Sequence, residues 1–234
     1  MFSISASVSD ILSRIAFRSI TREDVTGRSR QGHTRRSTTS RAIGDSVKSE
    51  SGAVFFDLGA TNVRLVAESD YPLLHRWRQD SSEIHPLSFE PGTHVAPDFV
   101  EQLNQLQRSN LLLLVEKKGN GEAVGYLMAY QVDLWNGWVH LGVYGSPEHP
   151  MRWYYIVRPL RWLLDFLFIR FPLLKAYVEI YDFADALAKF LKARGWVEES
   201  YLPDHYRHGA SMAGVRRIAL HRSVWEKKRL LWSA

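Results

Sequence analysis

The sequence predicts an α/β (α+β) fold in a single domain, a mixed and mostly antiparallel sheet flanked by helices, behind a disordered N-terminal tail. Three observations carry this. Residues 1–51 hold none of the eight tryptophans and are dominated by Ser, Thr, Arg and Gly, as in GRSRQGHTRRSTTSR at 27–41. Such a stretch buries too little apolar surface to offset its chain entropy. Two glycine turns, Gly119-Asn120-Gly121 and Trp135-Asn136-Gly137, join apolar runs into consecutive hairpins. Finally, KAYVEIYDFADALAKFLKARGW (175–196) switches from period two to period 3.6 within one segment. The domain is therefore placed at 52–234 and the tail at 1–51.

The elements follow in order. FFDLGATNVRLV ends in a strand, Asn62 to Val66, and the residues before it read as a linker. Ser69 can N-cap a helix that puts Leu73, Leu74 and Trp77 on one face. A Pro-, Gly- and His-rich loop (Asp80 to Pro97) leads to a helix over Ala96 to Arg108, with Phe99, Leu103 and Leu106 in one stripe. Strands are expected at Leu111 to Glu116, Ala123 to Val132 and Trp138 to Tyr144. A loop from Gly145 to about Tyr154 precedes a helix at Arg158 to Phe171, whose first turn suits Pro159. Ala176, Val178 and Ile180 alternate in a strand from Lys175. Ala184, Leu187, Ala188 and Leu191 recur at helical spacing, and Gly195 supplies a left-handed residue to end that helix after Arg194. Two late strands, Tyr201 to Arg207 and Val215 to His221, complete the order. Strict βαβ alternation is absent, which excludes a doubly wound parallel sheet.

Composition narrows the function. The chain has no cysteine, so disulfides, thiolate metal sites and thiol nucleophiles are excluded. The longest apolar stretch, WLLDFLFIRFPLL, is interrupted by Asp165, Arg170 and Pro172 and is too short to span a bilayer. The net charge of +5 sits mostly in the tail: residues 1–51 carry eight Arg and one Lys against five acids, and the remainder is close to neutral. The domain thus lacks the electrostatic footprint of a nucleic-acid partner. The tail itself has three readings: a plain disordered extension or over-extended translation start, an organellar transit peptide, or a nucleic-acid-binding arm. A cytoplasmic location is expected, or an organellar one if the tail is a transit peptide.

Several segments together resemble the GNAT acyltransferase superfamily, in its ribosomal-protein N-acetyltransferase-like branch. NVRLVAESDYPLLHRWRQD is similar to the opening strand and helix of that branch, GEAVGYLMAYQVD to its central hairpin, and WVHLGVYGSP to its fourth strand. The strand-helix-Gly195-Trp196 segment is similar to the family's Gly-Phe ending, and YLPDHYRHGASMAGVRRIALHRSVWEK to its last two strands. The resemblance covers about residues 62–228. It implies transfer of an acetyl or other acyl group from acyl-CoA to a primary amine of a peptide or small molecule. In such proteins two adjacent strands splay, and the pantetheine arm pairs with the first of them, here Leu141, Gly142, Val143 and Tyr144. The pyrophosphate rests on the N–H groups that open the next helix.

The phosphate loop departs from the family pattern. GSPEHPMRWYYIVRP has Gly145 but no Gly-x-Gly, two prolines without N–H donors (Pro147 and Pro150), and a phosphate-repelling Glu148. His149 and Arg152 remain as positive groups for the phosphates. Ala184 replaces the family's usual Asn, and Leu191 its usual Tyr. A second reading follows from these losses, a catalytically inactive GNAT-fold binding or scaffold module.

Amine attack on a thioester needs a proton acceptor. His140 stands on the strand before the splay, although a half-exposed strand histidine is the plainer reading. Glu83, with His85, lies in the loop expected to line the acceptor cleft. His205, Tyr206 and His208 stand on a late strand, but a His-x-x-His pair without a third ligand at fixed spacing makes no metal site. Asp57, Gly59 and Thr61 match the phosphate loop of sugar kinases of the actin-hexokinase type, yet the second lobe and second phosphate motif of that fold are missing, and the remaining chain is too short to hold them.

Overall fold

In a computed structural model, the residues described are 54–80, 101, 103–105, 107, 110–146, 148–208 and 210–229. The tail 1–51, most of the loop at 80–97, and part of the helix expected at 96–108 lie outside them; residues 101, 103–105 and 107 are helical.

The strands are β1 (Val54–Asp57), β2 (Thr61–Leu65), β3 (Leu111–Lys117), β4 (Ala123–Asp133), β5 (Trp138–Gly145), β6 (Lys175–Tyr181), β7 (Val197–His208) and β8 (Ser211–His221). They form one eight-stranded sheet in the order β1-β2-β3-β4-β5-β6-β8-β7. Every neighbouring pair is antiparallel except β5 and β6, which run parallel. The helices are α1 (Tyr71–Asp80), α2 (Arg152–Arg170), α3 (Asp185–Ala193) and α4 (Arg222–Lys228). This is the mixed, mostly antiparallel sheet with flanking helices that the sequence predicts.

Period-two alternation divides the core between two faces. Leu113, Val115, Leu141 and Val178 point one way and meet Ile156, Leu160 and Leu164 of α2, Leu191 of α3 and Trp225 of α4. Leu112, Leu114, Tyr126, Met128 and Tyr144 point the other way and meet Tyr71, Leu74 and Trp77 of α1, together with Leu103. β5 is buried along nearly its whole length, because helices cover both its faces.

Four boundaries differ from the expectation. The residues read as a linker form β1, which pairs antiparallel with β2. The kinase-like Asp57-x-Gly59-x-Thr61 is the turn of that hairpin: Leu58 N–H donates to Thr61 O (2.8 Å), Asp57 Oδ1 accepts from Gly59 N–H (3.0 Å), and Gly59 sits at φ +80°. Ser69 does not cap α1. Instead Asp70 accepts from Ala67 N–H (2.8 Å) while its carboxylate grips Arg64 through two bonds of 2.6 and 2.8 Å. The helix expected from Arg158 begins at Arg152, so Pro159 lies inside it. An interior proline costs about 3 kcal/mol. Burial of Ile156, with Trp153 and Tyr155 packed against the core, offsets that cost and carries the helix back to the end of β5. β7 starts four residues early because irregularities at Glu198/Ser200 and Leu202/Tyr206 break the alternation that would have revealed it.

Gly195 behaves as expected, at φ +92°, with its N–H on Lys192 O (3.0 Å) and Trp196 N–H on Leu191 O (3.2 Å).

Candidate active site

The only parallel junction among the described strands opens into a fork. β5 and β6 pair from Trp138↔Lys175 to Leu141↔Val178 and no further. Beyond that point β5 keeps β4 as its partner as far as Gly145↔Gly125, and β6 keeps β8 as far as Tyr181↔Val215. Between them lies a cleft of about 170 Å³. Its β5 wall is Leu141, Gly142, Val143, Tyr144 and Gly145, and its β6 wall is Val178 to Tyr181. Tyr130, Arg152, Trp153 and the first turn of α3 complete it. The stretch Leu141–Tyr144 chosen from sequence therefore forms one wall of the fork. The early start of α2 brings its N-terminus to the same cleft.

Local packing shapes this wall. A Cβ on Gly125 would lie 2.2 Å from Tyr144 O and 2.7 Å from Ile156 Cδ1, so only glycine lets β4 support β5 here. Ser146 N–H donates to Val124 O (2.8 Å) and fixes the exit of β5. The loop then turns on itself, with His149 N–H on Ser146 O (3.1 Å), Arg152 N–H on His149 O (3.0 Å) and Tyr154 N–H on Met151 O (3.0 Å). The N–H groups of Met151 and Trp153 take no acceptor among the described residues. Positive potential at a helix N-terminus and these donors suit an anionic group.

The two predicted cationic residues separate. Arg152 lines the cleft. His149 does not; its Nε2 lies 3.2 Å from Glu122 Oε1 on the β3–β4 turn.

His140 sits one residue before the last paired position. It is 5% exposed and ringed by Tyr130, Trp138 and Tyr177, with centroids 5.3–5.5 Å away. Burial lowers its pKa, the positive Arg217 lowers it further, and Glu179 opposes both. The imidazole is thus neutral at neutral pH, and its Nδ1 has no hydrogen-bond partner among the described residues. It is buried rather than half-exposed, and it stands behind the cleft wall rather than on it.

Glu179 escaped the sequence reading. It is the sole carboxylate among the described residues that line the cleft. Arg217, opposite it on β8, donates to its Oε1 from Nε (3.2 Å) and Nη2 (2.8 Å). Tyr130 and Tyr181 flank this wall; burial pushes the Tyr130 phenol up to about 12 and raises that of Tyr181 as well. The signal for Glu179 was available. With Ala176, Val178 and Ile180 facing the core, Tyr177, Glu179 and Tyr181 had to share the opposite face.

Other candidates fall elsewhere. Glu83 and His85 lie outside the described residues, as does the side chain of His208. His205 is exposed, and Tyr206 packs on Tyr181 with ring centroids 4.9 Å apart. Among the described residues no group of His, Asp and Glu is arranged to hold a metal ion. Leu191, at the usual tyrosine position, is fully buried, whereas Ala184 lines the cleft. No described helix is long and apolar enough to cross a membrane.

No protein-family model matches the chain, and no curated protein matches it. Solved structures do. A spermidine N-acetyltransferase from Vibrio cholerae in complex with CoA and spermine superposes with a TM-score of 0.62 at 16% identity, over 71% of this chain and 98% of that one. A dodecameric structure of the Vibrio cholerae enzyme in an intermediate state gives 0.61 at 18% identity, over 75% and 99%. One with manganese ions gives 0.60 at 16% identity, over 76% and 99%. At such identities the likeness is one of architecture: this chain has the GNAT fold, as those N-acetyltransferases do.

Proposed function

We propose that this protein transfers an acetyl or other acyl group from acyl-CoA to a primary amine, within the ribosomal-protein N-acetyltransferase-like branch of the superfamily. The observation that carries the reading is the fork between β5 and β6, with the N-terminus of α2 at its side. An acyl-CoA bound there would supply an activated thioester. The β5 edge, unpaired from Gly142 to Tyr144 beyond Leu141, would pair with the amides of the pantetheine arm, and Arg152 with the N–H groups of Met151 and Trp153 would hold the pyrophosphate. A solved neighbour binding CoA and spermine together is consistent with an amine acceptor.

In the reaction the amine nitrogen bonds to the thioester carbonyl carbon, the C–S bond breaks, and the sulfur leaves as thiolate. A backbone N–H of β5 can stabilise the developing oxyanion. The proton lost by the amine needs an acceptor that is unprotonated at working pH, and burial keeps the His140 imidazole in that form. Because His140 stands behind the wall, it takes the proton by way of a bridging water.

Pro147, Pro150 and Glu148, together with the loop's internal hydrogen bonds, favour a second reading, in which the domain keeps the fold and binds a partner without catalysis. Isothermal titration of the full chain with acetyl-CoA at moderate salt separates the two. Micromolar binding supports the transferase. Absence of binding up to millimolar ligand, with folding verified by circular dichroism, overturns it.

A further inference from the structure

The chain from Asp182 to Leu187, the turn after β6 and the start of α3, contains no buried residue. Ala188 and Leu191 anchor the rest of α3 in the core, whereas Ala184 and Leu187 are only partly buried and Phe183, Asp185 and Ala186 are exposed. Yet Phe183, Ala184, Ala186 and Leu187 form one wall of the cleft. The carboxylate of Asp182, the first residue after β6, ties this wall down. Its Oδ2 accepts from the Tyr201 hydroxyl on β7 (2.9 Å) and from Gly214 N–H on β8 (3.1 Å). Arg216 Nη2 lies 3.2 Å from Asp182 Oδ1, and Arg216 Nη1 lies 3.5 Å from Asp185 Oδ1. Gly214 stands just past the last β6–β8 pair, Tyr181↔Val215, so the carboxylate prolongs that contact by side chain. Only glycine fits there: a Cβ would stand 2.3 Å from the Tyr201 hydroxyl oxygen and 2.5 Å from Asp182 Oδ2. Asp182, Tyr201, Gly214 and Arg216 themselves do not line the cleft.

One short side chain thus joins the turn at 182–184 to both strands of the last hairpin. We infer that Asp182 is a positioning residue for the acyl donor: through Tyr201 and Gly214 it fixes the α3 wall against which the pantetheine arm lies. The inference rests on the transferase reading, and it adds to that reading a residue outside the cleft. Without the carboxylate the turn and the first turn of α3 are free to pivot about the buried Ala188. A donor that needs the wall in place then binds only the fraction of molecules that hold it there, and a drop in that fraction to about a tenth weakens binding about tenfold.

Hydrogen–deuterium exchange and isothermal titration with acetyl-CoA, both on the full chain, test it. In Asp182→Ala the backbone N–H groups at 183–188 should exchange about ten times faster than in the wild type, while β3 and β4 keep their protection, and acetyl-CoA should bind about tenfold more weakly. Asp182→Asn keeps an amide oxygen for Tyr201 and Gly214, and Arg216 keeps Asp185, so this variant should stay within about threefold of the wild type in both measurements. Tyr201→Phe removes one hydroxyl from an exposed ring and should fall between the two. An aspartate that merely supports the fold would lower protection throughout the sheet and leave the 183–188 segment no more affected than the rest. The inference is overturned if exchange at 183–188 is unchanged in Asp182→Ala, if Asp182→Asn loses as much as Asp182→Ala, or if the wild type and Asp182→Ala bind acetyl-CoA equally well. Absence of acetyl-CoA binding by the wild type defeats the transferase reading instead, and the exchange pattern alone then upholds or overturns the clamp.

Discussion

Ala186→Trp is the substitution that most directly asks whether the fork holds the acyl donor. Ala186 is exposed on the first turn of α3 and lines the cleft. An indole there brings an aromatic surface of roughly 150–250 Å² into the cleft between β5 and β6, on the wall that Ala186 already lines. It therefore competes with a pantetheine arm for the same space. Because the native side chain is exposed, the variant's own stability should move by no more than about 0.5 kcal/mol. For a folded unit of this size that is about 2 °C in melting temperature. Acetyl-CoA at a hundred times its dissociation constant should stabilise the wild type by about 2.7 kcal/mol, a rise of about 5–10 °C. In the variant at the same concentration the rise should fall below about 1 °C. Differential scanning fluorimetry of both proteins, with and without acetyl-CoA, gives the comparison. An undiminished ligand shift in Ala186→Trp would refute the placement of the pantetheine arm between β5 and β6, even if the protein binds acetyl-CoA.

Two further predictions concern the scaffold around the fork. Arg64 is 7% exposed and bridges Asp70 and Glu116, whose side chains are nearly as enclosed; Arg64→Met strands two carboxylates, which should cost about 3–5 kcal/mol and lower the urea midpoint by about 1.5–2.5 M. Adding Asp70→Leu and Glu116→Leu should recover most of that loss, and a single-variant cost below about 1 kcal/mol would show that the charges are not stranded. His140 is held below its ordinary value of 6.5, chiefly by burial, so the unfolded chain binds its proton first as pH falls. Its contribution is therefore complete above pH 6.5 and is lost as pH drops from there through the lowered folded value, with a slope of at most about 1.4 kcal/mol per pH unit. His140→Phe keeps a ring among Tyr130, Trp138 and Tyr177 and should remove that component from the pH-stability curve; identical slopes for wild type and variant below pH 6.5 would contradict the burial argument.

Much of the fork was legible in the sequence because it is made of local patterns. The alternation in 175–181, the helical spacing after it and the Gly195 stop place β6 and α3 without tertiary information. Likewise, the turns at Gly121 and Gly137 fix β3, β4 and β5 in consecutive antiparallel register. What was not legible depends on contacts between distant segments. α2 starts at Arg152 because Ile156 is buried, a fact that overrides the local preference for a boundary at Pro159. Glu179 was readable as facing away from the helical core, but its partner was not. Arg217 lies opposite it only through the β6–β8 register, and the two irregularities in β7 obscure where that hairpin begins.

Hydrogen-bond accounting gives the fork a meaning that does not depend on resemblance. Along a sheet each inner strand satisfies its backbone groups on two sides. Past Leu141↔Val178, the inner edges of Gly142–Gly145 and of Glu179–Tyr181 face each other unpaired, while every residue of that β5 segment is buried. A buried backbone donor or acceptor left unsatisfied costs about 1–3 kcal/mol, and several stand in this gap. Continuing the parallel ladder for three more residues would remove the cost. The sequence prevents this by holding β5 to β4 through the Gly125–Gly145 contact, where only a glycine fits against Tyr144 O, and by holding β6 to β8 through Arg217 and Glu179. A chain that spends stability to keep two strand edges apart needs something between them that carries its own donors and acceptors along a narrow line. Water satisfies the groups one at a time, whereas an extended diamide satisfies those on the β5 edge together, and so the strand edges, more than the altered phosphate loop, set the terms on which an acyl donor binds.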